Sequence, residues 1–89
     1  MEGKASRKNE GGKLVRVKVV YDDKIRKVEI TGDFFLEPPE SLKALEKALE
    51  GCSIKENRDE MLKLLEEVDA ELIGFSREDI IDCLEEVVR

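Results

Sequence analysis

Histidine, glutamine and tryptophan are absent from this 89-residue chain, asparagine occurs only at Asn9 and Asn57, and cysteine only at Cys52 and Cys83. Without an imidazole there is no Ser-His or Cys-His nucleophile, no histidine base and no histidine metal ligand. The cysteines stand 31 residues apart, which excludes a Cys-x-x-Cys metal or redox pair and a disulfide framework. Gly11-Gly12-Lys13 lacks the preceding strand and following helix that make a phosphate loop. No apolar run approaches the roughly 18 residues of a membrane span, and the leading residues have no apolar core that would make a signal peptide. These gaps predict no catalytic residue, no metal and a cytoplasmic location.

Charge is what the chain has in excess. Asp, Glu, Lys and Arg make up 43% of it, against about 25% in ordinary soluble domains. With heat-labile amides nearly absent, this pattern predicts a thermophilic source stabilised by surface ion pairs. The net charge is −6, which argues against nucleic acid and anionic membranes as partners. It is also uneven, +4 over residues 1–32 and −10 over residues 33–89. An acidic or phosphate-bearing partner would meet the front of the chain.

The length allows one small domain. Residues 1–12 are polar and hold three glycines, a composition that cannot offset its ordering entropy, so a flexible tail is expected there and a folded domain over 13–89. From Lys13 the pattern alternates strictly. Val15, Val17, Val19 and Tyr21 mark the inner face of a strand, and Arg16 and Lys18 its outer face. A tight turn at Asp22-Asp23 and a second alternating run from Lys24 to Thr31 complete a hairpin. A two-residue loop would set Val17 against Val28, Arg16 against Glu29 and Lys18 against Lys27. The last pair is a like-charge conflict, unless an anion or an acidic surface lies over it.

Three helices follow. Pro38-Pro39 prepares the first, whose apolar positions are Leu42, Leu45, Ala48 and Leu49, and Gly51 stands where a left-handed cap ends it. Asn57 with Glu60, and Ser76 with Asp79, have the spacing of capping boxes that open the second and third. Met61, Leu62, Leu64, Leu65 and Val68 share one face of the second, and Ile80, Ile81, Cys83, Leu84, Val87 and Val88 one face of the third. The fold class is α+β, an antiparallel hairpin or small sheet followed by three helices on its apolar side. Cys83 then reads as a core residue, and Cys52 as a thiol beside a helix C-terminus, where the dipole raises its pKa.

Two of the three phenylalanines are adjacent in Gly32-Asp33-Phe34-Phe35. Neighbouring residues of an extended chain face opposite ways, so with Ile30 inward Phe34 enters the core and Phe35 faces out, unless a bulge at Gly32 reverses them. Burial of both rings where the sheet ends is one reading; an outward ring offered to a partner is the other.

The ordered set "GGKLVRVKVVYDDKIRKVEITGDFF", a helix ending in "ALEG" and a closing "IGFSREDIIDCL" resembles the C-terminal accessory domain of lipoate-protein ligases. The most specific piece is Ile30-Thr31-Gly32-Asp33-Phe34-Phe35. The resemblance implies a stand-alone accessory subunit of an archaeal two-chain ligase, forming a heterodimer with a catalytic chain. It further implies that ATP, Mg²⁺ and lipoate are bound in that complex, lipoyl-AMP is formed, and the lipoyl group passes to lysines of lipoyl-domain carrier proteins. No catalytic residue is carried over. The partner-binding candidates are Gly32, Asp33, Phe34 and Phe35, with Arg16, Lys18 and Lys27 facing phosphate or an acidic surface. An alternative of another class is a small sulfur-acceptor or iron-sulfur assembly protein working through Cys52.

Overall fold

The computed structural model describes residues 1–8, 11 and 13–88. In chain order the elements are β1 (Glu2–Lys8), β2 (Leu14–Tyr21), β3 (Ile25–Gly32), β4 (Phe35–Glu37), α1 (Ser41–Leu49), α2 (Arg58–Glu66), β5 (Glu71–Ile73) and α3 (Arg77–Val88). β1, β2 and β3 form an antiparallel sheet in that order, and β4 and β5 pair separately as a short antiparallel ribbon. The class is α+β, as the patterning predicts.

The flexible tail expected over residues 1–12 is corrected at Glu2–Lys8, which is β1. Its composition reads as disordered because the core side needs small residues. Gly3 lies under Val87, whose Cγ1 would be 2.8 Å from an added Cβ, and Ala5 packs against the core. The central strand β2 supplies the missing ladder partners, and the Met1 ammonium donates to the Tyr21 carbonyl at 2.7 Å. Of the expected tail, Asn9, Glu10 and Gly12 lie outside the described residues. Gly11 and Lys13 stand between two strands, so the strand, loop and helix order of a phosphate loop is not met there.

The hairpin register is corrected too. Val17 faces Ile30, Val19 faces Val28 and Lys18 faces Glu29, with a shift between Val20 and Tyr21. The loop is Asp22-Asp23-Lys24, one residue longer than expected, and its side chains explain the length. The Asp22 carboxylate accepts from the Lys24 amide at 2.9 Å and from Arg26 Nε at 3.0 Å. These two bonds, the backbone one first, lower its pKa to about 2. The longer loop turns Ile25 into the core and removes the expected Lys18–Lys27 conflict: Lys18 lies 3.2 Å from Glu2, and Lys27 3.4 Å from Glu29.

One face of the sheet is covered. Val15, Val17, Val19, Ile25, Val28 and Ile30 are buried there. α1 packs on β3 through Leu45 and Leu49, and α3 on β1 and β2 through Ile80, Ile81, Cys83 and Leu84. Each such burial contributes about 2 kcal/mol. α2 lies against α1 and α3 and adds Met61 and Leu65. The outer edge of β3 is closed by polar contacts, with the Ile30 amide donating to Glu46 at 2.8 Å and the Gly51 amide to the Ile25 carbonyl at 2.7 Å. Gly51 turns to a φ of 89° to reach it.

Of the two expected capping boxes, the one at Ser76 forms in full and the one at Asn57 in half, the Asn57 amide donating to Glu56 at 3.3 Å and not to Glu60. Asn57 Oδ1 accepts from the Glu60 amide at 2.8 Å. Ser76 and Asp79 exchange amide-to-side-chain bonds of 3.2 and 3.0 Å. α2 is also held at its far end. The Arg77 guanidinium donates to the carbonyls of Leu65 at 2.9 Å, Val68 at 2.8 Å and Ala70 at 3.3 Å, tying the segment that follows α2 to the start of α3. The Leu65 oxygen also accepts from the Val68 amide at 3.1 Å. Arg58 answers from the other side, reaching Asp82 at 2.6 Å and Glu85 at 2.7 Å on α3.

Arg77→Ala is expected to cost about 2 to 3 kcal/mol, since three charge-assisted hydrogen bonds are lost together. Thermal unfolding followed by circular dichroism should show a melting point lower by roughly 10 °C or more in a domain of this size. A shift within measurement error would show that water replaces the guanidinium without penalty.

Candidate partner-binding site

Gly32 decides the geometry at the end of β3. Its φ is +152°, and a Cβ placed there would lie 2.1 Å from the Leu14 carbonyl oxygen. Gly32, the last residue of β3, pairs with Val15 of β2 in a backbone conformation and at a separation that only glycine permits, and the Asp33 amide donates to that same oxygen at 2.9 Å. The Asp33 side chain itself is exposed.

The two rings then part. Phe34 turns inward and stacks on Phe75, centroids 4.0 Å apart and planes at 21°. Phe75, 7% exposed, sits just ahead of α3. Phe35 turns outward and is 73% exposed. It opens β4, where it stands opposite Ile73 of β5, itself 45% exposed, while the next pair, Leu36 and Leu72, faces inward. Apart from Met1, Phe35 and Ile73 are the exposed large apolar side chains among the described residues. Beside Phe35 lies an open depression of about 420 Å³ whose wall includes Phe34, Leu36, Pro39 and Leu42.

Of the expected site residues the structure brings Gly32, Asp33, Phe34 and Phe35 together and sets the basic group apart. Arg16, Lys18 and Lys27 project from the face of the sheet opposite the helices, where only Arg16 comes near, opposite Thr31. Registers place Lys4 and Lys8 of β1 on that open face too, along with Glu2 and Glu29. Ile73 escapes the sequence reading, since a three-residue strand is too short to show alternation. Its weak signal is the apolar pair Leu72-Ile73 before Gly74, whose φ is +90°.

Cys52 is half-buried, with Sγ 3.9 Å from the Ala48 carbonyl. Its pKa is raised, by burial first and then by the Glu56 carboxylate. The direction agrees with the helix-end expectation, but the main cause is desolvation. Cys83 is fully buried, and desolvation raises its thiol to about 11. Among the described residues no group of three or more Cys, Asp and Glu side chains is placed to hold a metal ion, and no helix is long and apolar enough to cross a membrane.

Two predictions follow from this geometry. Phe34→Ala should lose about 2 to 3 kcal/mol through the vacated ring and broken stack, whereas Phe35→Ala should change stability by less than about 0.5 kcal/mol; urea unfolding of both variants distinguishes the rings, and equal losses would put Phe35 in the core as well. For Cys83, the folded state favours the protonated thiol. Its contribution is thus complete below the ordinary value of 9.0 and is lost as pH rises through about 11. Unfolding titrations between those limits should show an alkaline decline that Cys83→Ala flattens.

Comparison with known proteins bears on the whole chain. The family model described as the bacterial lipoate protein ligase C-terminus matches residues 2–84. Its span begins at β1, in agreement with that strand being part of the fold. Among solved structures, the chain is similar to one from an archaeal lipoylation system, described as a bi-partite lipoate protein ligase and its E2 lipoyl domain from Thermoplasma acidophilum. The two share 27% identity with a TM-score of 0.71, over 94% of this chain and 97% of the other. A search of curated protein sequences finds no match. With the family model spanning β1 through most of α3, this chain belongs to the lipoate protein ligase C-terminal domain family.

Proposed function

We propose that this chain is a non-catalytic accessory subunit of a two-chain lipoate-protein ligase, required with a separate catalytic chain to activate lipoate as lipoyl-AMP. The observation that carries the reading is end-to-end likeness to a chain of a bi-partite ligase, covering 94% of this chain and 97% of that one. Activation is a substitution at phosphorus. A lipoate carboxylate oxygen attacks the α-phosphorus of ATP, the bond to the β-phosphate oxygen breaks, and pyrophosphate leaves. In the later transfer a carrier lysine amine attacks the acyl carbon and AMP departs.

On this reading the accessory chain supplies none of the reacting groups. It docks and orders the loops of its partner, so that water is excluded and carboxylate and phosphorus are held in line. The contact we assign to the catalytic chain is the β4–β5 ribbon, because Phe35 and Ile73 are exposed side by side at the rim of an apolar depression. Aromatic anchors in such settings carry much of an interface's energy. A standard interface covers about 800 Å² per partner, roughly a seventh of this chain's 5459 Å², and the ribbon would occupy its centre. The sulfur-carrier alternative finds no support in Cys52, whose half-buried thiol has a raised pKa.

The test combines the catalytic chain, lipoate, ATP and Mg²⁺ and follows pyrophosphate. Release should require this chain and saturate with it, and Cys52→Ser should behave as wild type. Phe35→Ala should need about 30-fold more protein for half saturation, the expectation for losing an anchor of about 2 kcal/mol. Equal pyrophosphate release from the catalytic chain alone overturns the proposal. Transfer from preformed lipoyl-AMP to a lipoyl domain should proceed without the accessory chain.

A further inference from the structure

The open face of the three-stranded sheet carries a charge opposite to that of the chain. Five cations and two carboxylates project from it, a net +3, on a protein of −6. Lys4 of β1 stands directly opposite Lys18 of β2, and Ser6 opposite Arg16. Like charges facing across a ladder are unfavourable. Lys18 and Lys27 are answered by Glu2 and Glu29, yet Lys4, Lys8 and Arg16 have no ion-pair partner among the described residues. This is unusual economy in a chain where 22 carboxylates outnumber 16 cations. Elsewhere Arg58 gathers two carboxylates and Arg26 reaches two more. A shallow hollow of about 500 Å³ lies between Lys4, Ser6 and Arg16.

We infer that this open face is a second docking surface, for a protein that presents clustered carboxylates. Charge complementarity selects the occupant. Glu2 and Glu29 interrupt the cations, so a continuous phosphate backbone would meet repulsion, and no exposed aromatic side chain on the face offers a stack for bases. A membrane would need an apolar wedge, and Val20 and Leu14 on this face are only half exposed. Discrete carboxylates on a folded surface suit cations interrupted in this way, one meeting Lys4 beside Lys18 and another Arg16. Such a contact governs encounter rate and orientation more than affinity. It is separate from the Phe35 ribbon and does not rest on the ligase reading.

The experiment titrates the ¹⁵N-labelled full chain at low salt with a blocked peptide alternating Glu and Gly, and in parallel with a charge-matched oligothymidylate and with phosphatidylglycerol vesicles. The peptide should shift the amides of Lys4, Ser6, Arg16 and Lys18, and added salt should reverse the shifts. A Lys4→Glu/Arg16→Glu double variant should bind about tenfold more weakly, while Lys63→Glu on α2 should bind as wild type. The double variant is expected to fold, because Glu at position 4 faces Lys18 favourably. Shifts spread over the helix lysines, binding unchanged by the double reversal, no binding at all, or tighter binding of the oligonucleotide or vesicles would each overturn the inference.

Discussion

The close pairing of Gly32 against the Leu14 carbonyl is the constraint on which the apolar end of the molecule depends. No residue with a Cβ tolerates a 2.1 Å approach to a carbonyl oxygen, so this end of β3 requires glycine. The strand ends there, and the Leu14 oxygen accepts from the Asp33 amide. Phe34 then points under the fold and Phe35 away from it. The inward ring stacks on Phe75 and so fixes the approach to α3. The outward ring opens β4, which recruits β5 and sets Ile73 beside it. One close backbone contact thus yields both a core anchor and an exposed apolar pair.

The sequence was readable where a physical signal repeats or where a cap has a defined spacing. Alternating valines mark β2 because successive strand residues face opposite ways. The capping box at Ser76 with Asp79 forms as its spacing demands, and Asn57 caps its helix through its side chain, though without the return bond from Glu60. Counting outward from Ile30 gives the right division between Phe34 and Phe35, although β3 ends at Gly32 and Phe35 belongs to the separate β4–β5 ribbon. Signals that depend on partners distant in sequence were not readable. β1 hides behind a disordered composition because its inward positions must be as small as Gly3 and Ala5 to fit under α3. The hairpin register turned on a single extra loop residue, held by Asp22. Shifting the pairing by two residues keeps every side chain on its face, so the core was right while the outer pairs were wrong.

That last error bears on the candidate site. An expected clash between Lys18 and Lys27 pointed to the outer face for a reason the structure removes, yet the face remains basic for another reason. The strand that displaced the expected tail brings its own cations, and the facing pair becomes Lys4 with Lys18. A small domain whose three helices all lie on one side of the sheet has no hydrophobic use for the other side. Its composition there is set by solubility and by whatever the face meets. The helices carry nine carboxylates against five cations, whereas the open face carries two against five, so the two sides are opposite in sign.

The apolar ribbon alone would not hold a partner. Burying one exposed phenyl contributes about 2 kcal/mol, while association costs at least about 4 kcal/mol in lost translation and rotation. An interface centred on Phe35 must therefore draw on the neighbouring depression, Ile73 and polar contacts at the rim. The backbone mounting of Phe35 reduces what is needed. Its main chain is held between the Gly32 close pairing and the β4–β5 ladder, so on the proposed reading little backbone entropy would be lost on docking, and the cost falls on the exposed ring's own rotamers.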